Sequence, residues 1–323
     1  MYLVTGAAGF IGYHVCKRLL EEGKSVVGID NLNDYYSVDL KLARLNNLKD
    51  CEKFSFYKID ISDRQAVENL FQEYDFYKVI HLAAQAGVRY SIENPYAYAD
   101  SNLIGMLTIL EGCRNHKIQH LVYASSSSVY GMNDKVPFSE DDKVDNPVSF
   151  YAATKKANEA MAESYANLYG LQCTGLRFFT VYGPWGRPDM APMLFANAIT
   201  SKNNIKLFNK GNMLRDFTYI DDITDGIWRV LNIKERYSHE IFNIGNGAPV
   251  KLLYFIQLLE SSMKQATTKV ELDMQNGDVI KTFACVDKLN RKVGYKPKIS
   301  VENGVEKFVD WYKSIYLTKF YKC

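Results

Sequence analysis

Short apolar runs alternate with amphipathic stretches through the first half of the chain. The runs Tyr2–Thr5, Ser25–Asp30, Phe54–Asp60, Val79–Ala83 and His120–Ala124 read as strands. Helical periodicity lies between them, as in Ile11–Glu22, Arg64–Glu73 and Tyr96–Arg114. A further helix, Phe150–Tyr169, leads to a strand at Cys173–Phe178. Strands separated by helices imply right-handed crossovers and a parallel sheet covered on both faces. The predicted fold class is α/β, a doubly wound parallel sheet.

After about residue 180 this rhythm breaks. Gly183-Pro184-Trp185-Gly186-Arg187-Pro188 is turn chemistry, and the elements beyond it are shorter and irregularly ordered. The expected organisation is a cofactor domain over residues 1–180 and a smaller mixed C-terminal substrate domain over 181–323. Segments near 215–245 are expected to return to the first domain. No internal repeat or low-complexity linker is visible.

Composition narrows the class. With 323 residues, 47% of them hydrophobic, the chain can bury a large core. The 39 basic and 37 acidic residues are interspersed, which argues against a nucleic-acid stripe or a membrane-surface helix. Six cysteines at 16, 51, 113, 173, 285 and 323 include no closely spaced pair, so neither zinc nor a disulfide framework is expected. The acid-rich segment 139–145 reads as a solvated loop rather than a metal site. The chain enters a strand at its first residues, leaving no room for a signal peptide, and no apolar run is long enough to span a bilayer. A cytoplasmic location is expected.

The first strand runs into Gly6-Ala7-Ala8-Gly9-Phe10-Ile11-Gly12. Glycines at these spacings permit a sharp turn, close approach of backbone to a pyrophosphate, and tight helix–sheet packing. Asp30 ends the second strand eighteen positions after Gly12, where a carboxylate would hold the adenosine ribose and repel the extra phosphate of NADP. Asn31 and Leu32 offer no arginine to receive that phosphate. The expected cofactor is NAD. Asp60-Ile61, at the end of the third strand, is placed either to approach the adenine or to cap the next helix.

Tyr151 and Lys155 stand four residues apart, on one face of a helix. Bringing a phenol from its usual pKa near 10 to about 7 takes roughly 4 kcal/mol of preferential phenolate stabilisation. A neighbouring lysine and a positive nicotinamide ring are the expected sources. Ser125-Ser126-Ser127-Ser128-Val129-Tyr130-Gly131 follows the fifth strand directly, which puts hydroxyls at the ligand crevice of such a sheet. Together these residues point to acid–base chemistry beside a nicotinamide. His81 reads as a structural histidine at the end of a buried strand, and Asp221 of Asp221-Asp222 as a helix cap.

Gly6–Gly12, Asp30, Leu82-Ala83-Ala84, Ser125–Gly131 and the Tyr151/Lys155 pair resemble the extended short-chain dehydrogenase/reductase superfamily, whose fold is of the Rossmann type. Three longer strings resemble its UDP-glucuronate 4-epimerase branch. They are Asp30-Asn31-Leu32-Asn33-Asp34-Tyr35-Tyr36, the run His81–Arg89, and the run Leu176–Met190. The resemblance implies that Tyr151, Lys155, Ser126 and Ser128 form the catalytic group. Tyr151 would take the C4 hydroxyl proton while hydride passes to NAD⁺, and the 4-keto sugar would turn and take the hydride back on its other face. It further implies cofactor contacts from Gly6, Gly9, Phe10, Ile11, Gly12, Asp30, Asn31, Asn33, Asp60, Ile61, Leu82, Ala83, Ala84, Gln85, Tyr151, Lys155 and Phe178. The UDP-sugar would meet Arg89, Ser126, Ser128, Tyr151, Phe179, Thr180, Arg187, Arg215 and Asp278. Arg187 and Thr180 are the implied holders of a sugar carboxylate, Arg215 of the pyrophosphate and Asp278 of the uridine ribose.

Related decarboxylases commonly carry Glu at the position of Ser128, and related 4,6-dehydratases carry an Asp-Glu pair. Ser127-Ser128 speaks against both. The remaining alternatives are a UDP-hexose or UDP-N-acetylhexosamine 4-epimerase, a net dehydrogenase, and a non-catalytic NAD-binding protein. Helices Tyr96–Arg114 and Phe150–Tyr169 resemble those of the family's dimer bundle, so a homodimer is expected.

Overall fold

The computed structural model describes residues 1–274 and 279–321. Its centre is a sheet of seven parallel strands: β1 (Tyr2–Thr5), β2 (Val26–Asp30), β3 (Phe54–Lys58), β4 (Lys78–His81), β5 (His120–Ser126), β6 (Cys173–Phe178) and β7 (His239–Ile244). Their order is β7-β6-β5-β4-β1-β2-β3. The order reverses between β1 and β4, and in such sheets the ligand crevice lies over the strand ends at that switch. In register, Thr5 pairs with Ile29 on one side and His81 on the other.

Strand pleating explains the continuous apolar runs. Val4, Val26, Ile80 and Val122 face one core. Leu3, Val27, Val79 and Leu121 face the other. A sheet buried on both faces needs apolar residues at every position, not at alternate ones. The second core packs α3 (Arg64–Glu73), α4 (Gly105–Asn115) and α5 (Phe150–Tyr169) through Leu70, Phe71, Ile109 and Ala162. The first core receives α1 (Phe10–Glu21), α6 (Ile220–Leu231) and much of the C-terminal half.

Helix α2 (Val38–Asn46) was absent from the sequence reading. Ser37 caps it, accepting from Leu40 N at 3.3 Å. Its buried face carries Lys41 and Arg44 beside Leu40 and Leu45, so two cations interrupt the apolar period that would have revealed it. The expected helix Tyr96–Arg114 is a helical run with a π segment, Ala99–Ile104, leading into α4.

Apart from β7, the strands beyond β6 are short and mixed. Thr180–Tyr182 pairs in parallel with Phe217–Tyr219. Leu214–Arg215 pairs antiparallel with Val250–Lys251 and parallel with Lys281–Thr282. One local expectation is corrected. Asp221 lies inside the first turn of α6, and Tyr219 is the cap residue; Asp222 instead accepts from Lys298 N and Ile299 N at 2.9 and 3.0 Å. Within the acid-rich segment Asp141, Lys143 and Asp145 are exposed, while Glu140 accepts from Asn243 N at 2.7 Å and ties the loop to β7.

Candidate active site

The strand ends open onto a cleft of about 450 Å³. Its cofactor side begins where β1 stops. Gly6 takes φ +71°, and a Cβ there would lie 2.8 Å from Ala83 N. A Cβ on Gly12 would stand 2.0 Å from Gly6 O, so only glycine lets α1 start so close to the turn. No side chain caps α1, and its first turn holds no acid. Its first-turn N–H groups thus meet no capping side chain and no acid of their own turn, which suits a pyrophosphate. Asp30 lies alongside, accepting from Ala8 N at 3.2 Å and Leu32 N at 2.9 Å, its acidity weakened by burial. An uncapped helix end beside a buried carboxylate at the end of β2 fits NAD.

Of the expected cofactor residues, Gly6, Gly9, Phe10, Ile11, Gly12, Asp30, Asn31, Asn33, Ile61, Leu82, Ala83, Ala84, Gln85, Tyr151, Lys155 and Phe178 line this cleft. Asp60 does not. It sits behind Asn31, accepting from Asn31 Nδ2 at 2.8 Å and from Ser62 Oγ at 2.7 Å, and acts on the cleft through that side chain. Nor is it a cap, since Asp63 caps α3. Gln85 is held by Asn102 of the π segment. Asn102 Oδ1 accepts from Gln85 N at 2.8 Å, and Asn102 Nδ2 donates to Thr154 Oγ1 at 3.0 Å. One amide thus joins the cofactor loop to α5.

The chemistry gathers where β5 meets α5. Ser149 caps α5, accepting from Ala152 N at 3.1 Å, and this fixes Tyr151 in the first turn. Ser126 ends β5 and accepts from Ser128 Oγ at 2.9 Å. Burial pushes the Tyr151 phenol up; a hydrogen bond with Ser126 and the charge of Arg187 oppose it. Lys155 lies one turn deeper and donates to Ala124 O at 2.9 Å, its pKa pushed down to about 8 by burial. His81 is structural: Thr5 Oγ1 accepts from Leu82 N and Ala83 N, so its hydroxyl donates to His81 Nδ1 at 2.8 Å.

Phe179, Thr180, Arg187 and Arg215 line the opposite side of the same cleft, with Ser126, Ser128 and Tyr151. Arg215 donates to Leu214 O and Ile280 O at 3.0 and 3.1 Å. Arg89 does not reach the lining; it is exposed, with its guanidinium carbon 5.1 Å from the Phe208 ring centroid. It immediately precedes the short helix Tyr90–Glu93. Asp278 lies outside the described residues.

Several residues shape the site without having stood out in the sequence. Lys41 lines the cleft and donates to Asn33 O at 2.6 Å and Asn33 Oδ1 at 2.8 Å. Buried Arg44 donates to Ala8 O in the glycine turn at 2.8 Å and to Trp185 O at 2.7 Å. It bridges the cofactor turn to the loop carrying Arg187, where Trp185 sits at φ +63°, a conformation bulky residues rarely adopt. The signal for both cations was α2, had its Ser37 cap been recognised.

A glycine turn, a carboxylate at the end of the second strand and a Tyr–Lys helix on one parallel sheet define a nicotinamide-dependent enzyme of the short-chain dehydrogenase/reductase type. The chain belongs to the NAD dependent epimerase/dehydratase family, whose family model matches residues 2–245. It is 46% identical to a UDP-glucuronate 4-epimerase from Thermodesulfobacterium geofontis, over 97% of this chain and 96% of that protein. Among solved structures it is similar to UDP-glucuronic acid 4-epimerase from Bacillus cereus in complex with UDP-glucuronic acid and NAD. There the TM-score is 0.92 at 34% identity, covering 98% of this chain and 99% of that one. UDP-glucose 4-epimerase from Thermotoga maritima gives a TM-score of 0.88 at 31% identity, covering 97% and 98%.

Proposed function

We propose that this protein inverts C4 of UDP-glucuronate to form UDP-galacturonate, with no net redox change. The observation that carries this reading is one cleft in which Tyr151, Ser126, Thr180 and Arg187 stand together beside the glycine turn. Bound NAD supplies a hydride acceptor for C4 and, once reduced, the donor for the return. Tyr151 removes the C4 hydroxyl proton and later restores it, while Ser126 bonds both the phenol and O4. Lys155 holds a buried positive charge beneath them.

The 4-keto form of a uronic acid is a β-keto acid, which loses CO₂ when the breaking bond aligns with the carbonyl π system. Arg187, forking onto the carboxylate, and Thr180 would hold it out of that alignment. Neither Ser127 nor Ser128 provides an acid to assist loss of CO₂ or water. Arg215 would take the substrate pyrophosphate, and Asp278 the uridine ribose. Residues 1–180 with the return near 215–245 would serve the cofactor, and 181–323 mainly the nucleotide sugar.

Incubation with UDP-glucuronate and identification of products by NMR tests the assignment. UDP-galacturonate is expected; UDP-xylose or a keto-pentose as the main product would refute it. A neutral UDP-hexose is the second reading, favoured by the ion pair that Arg187 already makes with Asp189. A panel of UDP-sugars separates the two.

We further infer a homodimer through α4 and α5. On α5, Phe150, Leu168 and Tyr169 are exposed, at 39%, 69% and 46%. Light scattering that finds only monomer would remove this inference. Among the described residues no helix is long and apolar enough to cross a membrane. A cytoplasmic place in polysaccharide precursor synthesis is the corresponding proposal, supported by the nucleotide-sugar reading.

A further inference from the structure

We propose that Asp189, backed by Tyr35, is a positioning residue that pins one edge of the Arg187 guanidinium and so presents its other edge to a sugar carboxylate. The proposal rests on the uronate reading of the site and names the device that would make Arg187 selective for it.

Arg187 Nε donates to Asp189 Oδ1 at 3.1 Å, and Arg187 Nη2 donates to Asp189 Oδ2. A guanidinium has two such forks, the Nε–Nη2 edge and the Nη1–Nη2 edge. Asp189 takes the first. Arg187 and Tyr35 line the cleft, whereas Asp189 does not, so the carboxylate grips the arginine from behind. Tyr35 OH donates to Asp189 Oδ2 at 3.2 Å, and the Tyr35 ring packs against Tyr90 with centroids 4.8 Å apart. The backbone leading to Arg187 is fixed separately, by Arg44 on Trp185 O and Gly186 O. Backbone and side chain are thereby held from two directions.

Two opposite consequences of Asp189 compete. It removes much of the rotamer freedom that a lone arginine would lose on binding, which favours a uronate. It also places a second negative charge near the substrate's own, which disfavours one. The location behind the guanidinium, outside the cleft lining, indicates that ordering dominates. An arginine free to rotate would also release the plane of the carboxylate. In the 4-keto sugar the C5–C6 bond could then break, its electron pair passing to the C4 carbonyl as enolate. CO₂ would depart, C5 would take a proton, and one cofactor would stay reduced for each keto-pentose released.

The test compares Asp189→Asn, Tyr35→Phe and wild type as the NAD-loaded enzyme. Calorimetric Kd and steady-state KM are measured for UDP-glucuronate and for UDP-glucose, which lacks the carboxylate. An asparagine sets an amide donor against Nη2 and breaks the fork. Asp189→Asn should raise Kd and KM for UDP-glucuronate roughly tenfold or more, the scale of a lost charge-assisted contact. UDP-glucose should change less than about twofold, and keto-pentose should appear by NMR. Tyr35→Phe should act in the same direction by roughly threefold. In an Arg187→Ala background the Asp189→Asn effect should vanish. Tighter or unchanged uronate binding in Asp189→Asn would overturn the proposal, and so would equal losses for both ligands. If Asp189→Asn fails to fold, Tyr35→Phe decides by the same criteria. Wild type that binds uronate selectively but does not epimerise it would sink the activity while the clasp stands. Wild type without selectivity would sink the clasp.

Discussion

Replacing Glu159 with glutamine should destabilise the enzyme severely, for a reason visible one turn below Lys155. Glu159 Oε1 accepts from Arg177 Nε at 2.8 Å and from Ser125 Oγ at 2.6 Å, and Oε2 accepts from Arg177 Nη2 at 2.9 Å. The two side chains are only 2% and 3% exposed. Arg177 also donates to Tyr130 OH at 3.0 Å, and Tyr130 OH donates to Asn243 Oδ1 at 2.6 Å. This network joins α5 to the ends of β5, β6 and β7. Glutamine would leave the Arg177 charge buried and set an amide donor against one of its nitrogens. Orphaning one member of a buried pair costs about 3–5 kcal/mol. Unfolding entropy near 2.1 cal/mol/K per residue, over 323 residues, is about 0.7 kcal/mol/K, so Tm should fall by about 4–7 °C. Differential scanning calorimetry at a fixed scan rate reads this directly. A double variant, Glu159→Leu with Arg177→Met, removes both charges and should recover more than half of the loss. A single variant melting within about 2 °C of wild type, or a double variant no better than the single, would refute the reasoning.

Other outcomes follow from the same geometry. Tyr151→Phe should lower turnover by roughly 10²–10⁴-fold, the scale of lost general acid–base catalysis, while NAD still binds; near-normal kcat would remove the phenol from the chemistry. Gly12→Ala drives a Cβ to 2.0 Å from Gly6 O, so the purified variant should lack NAD by absorbance and mass spectrometry, and normal NAD content would contradict the close packing. Lys155 gives a pH signature in the cofactor-free protein. Its folded pKa of about 8 lies below the unfolded 10.5, so the charged form costs about 3 kcal/mol below pH 8. Between about pH 8 and 10 the unfolded state binds more protons, and that cost fades as pH rises. Lys155→Met should therefore be the more stable protein at pH 7, by about 2 kcal/mol after loss of the bond to Ala124 O. Denaturant titrations should show the gap narrowing towards pH 10; a constant gap would refute the assignment.

The fold class was legible because a sheet buried on both faces writes itself as unbroken apolar runs, and Leu3/Val4 or Val79/Ile80 serve opposite cores. The glycine turn, Asp30 and the Tyr151–Lys155 pair were legible for a similar reason. Each is a local device whose residues lie within one strand–turn–helix unit or one helical turn. Helix α2 escaped because its buried face carries Lys41 and Arg44, whose charges are satisfied by carbonyls that only the folded chain supplies.

Tertiary structure alone decided which charges meet. Asp189 lies two residues from Arg187, yet its role depends on Tyr35, contributed from 154 positions away. Glu159, Arg177 and Ser125 meet directly, and Asn243 joins them through Tyr130, from four separate elements. Arg89, in a string as distinctive as any, is exposed and packs its guanidinium over Phe208, 119 positions away. Periodicity and turn chemistry are short-range consequences of backbone geometry, so sequence records them. The pairing of buried ions and the direction of a side chain are settled by which distant groups can desolvate them together, and that requires the closed fold.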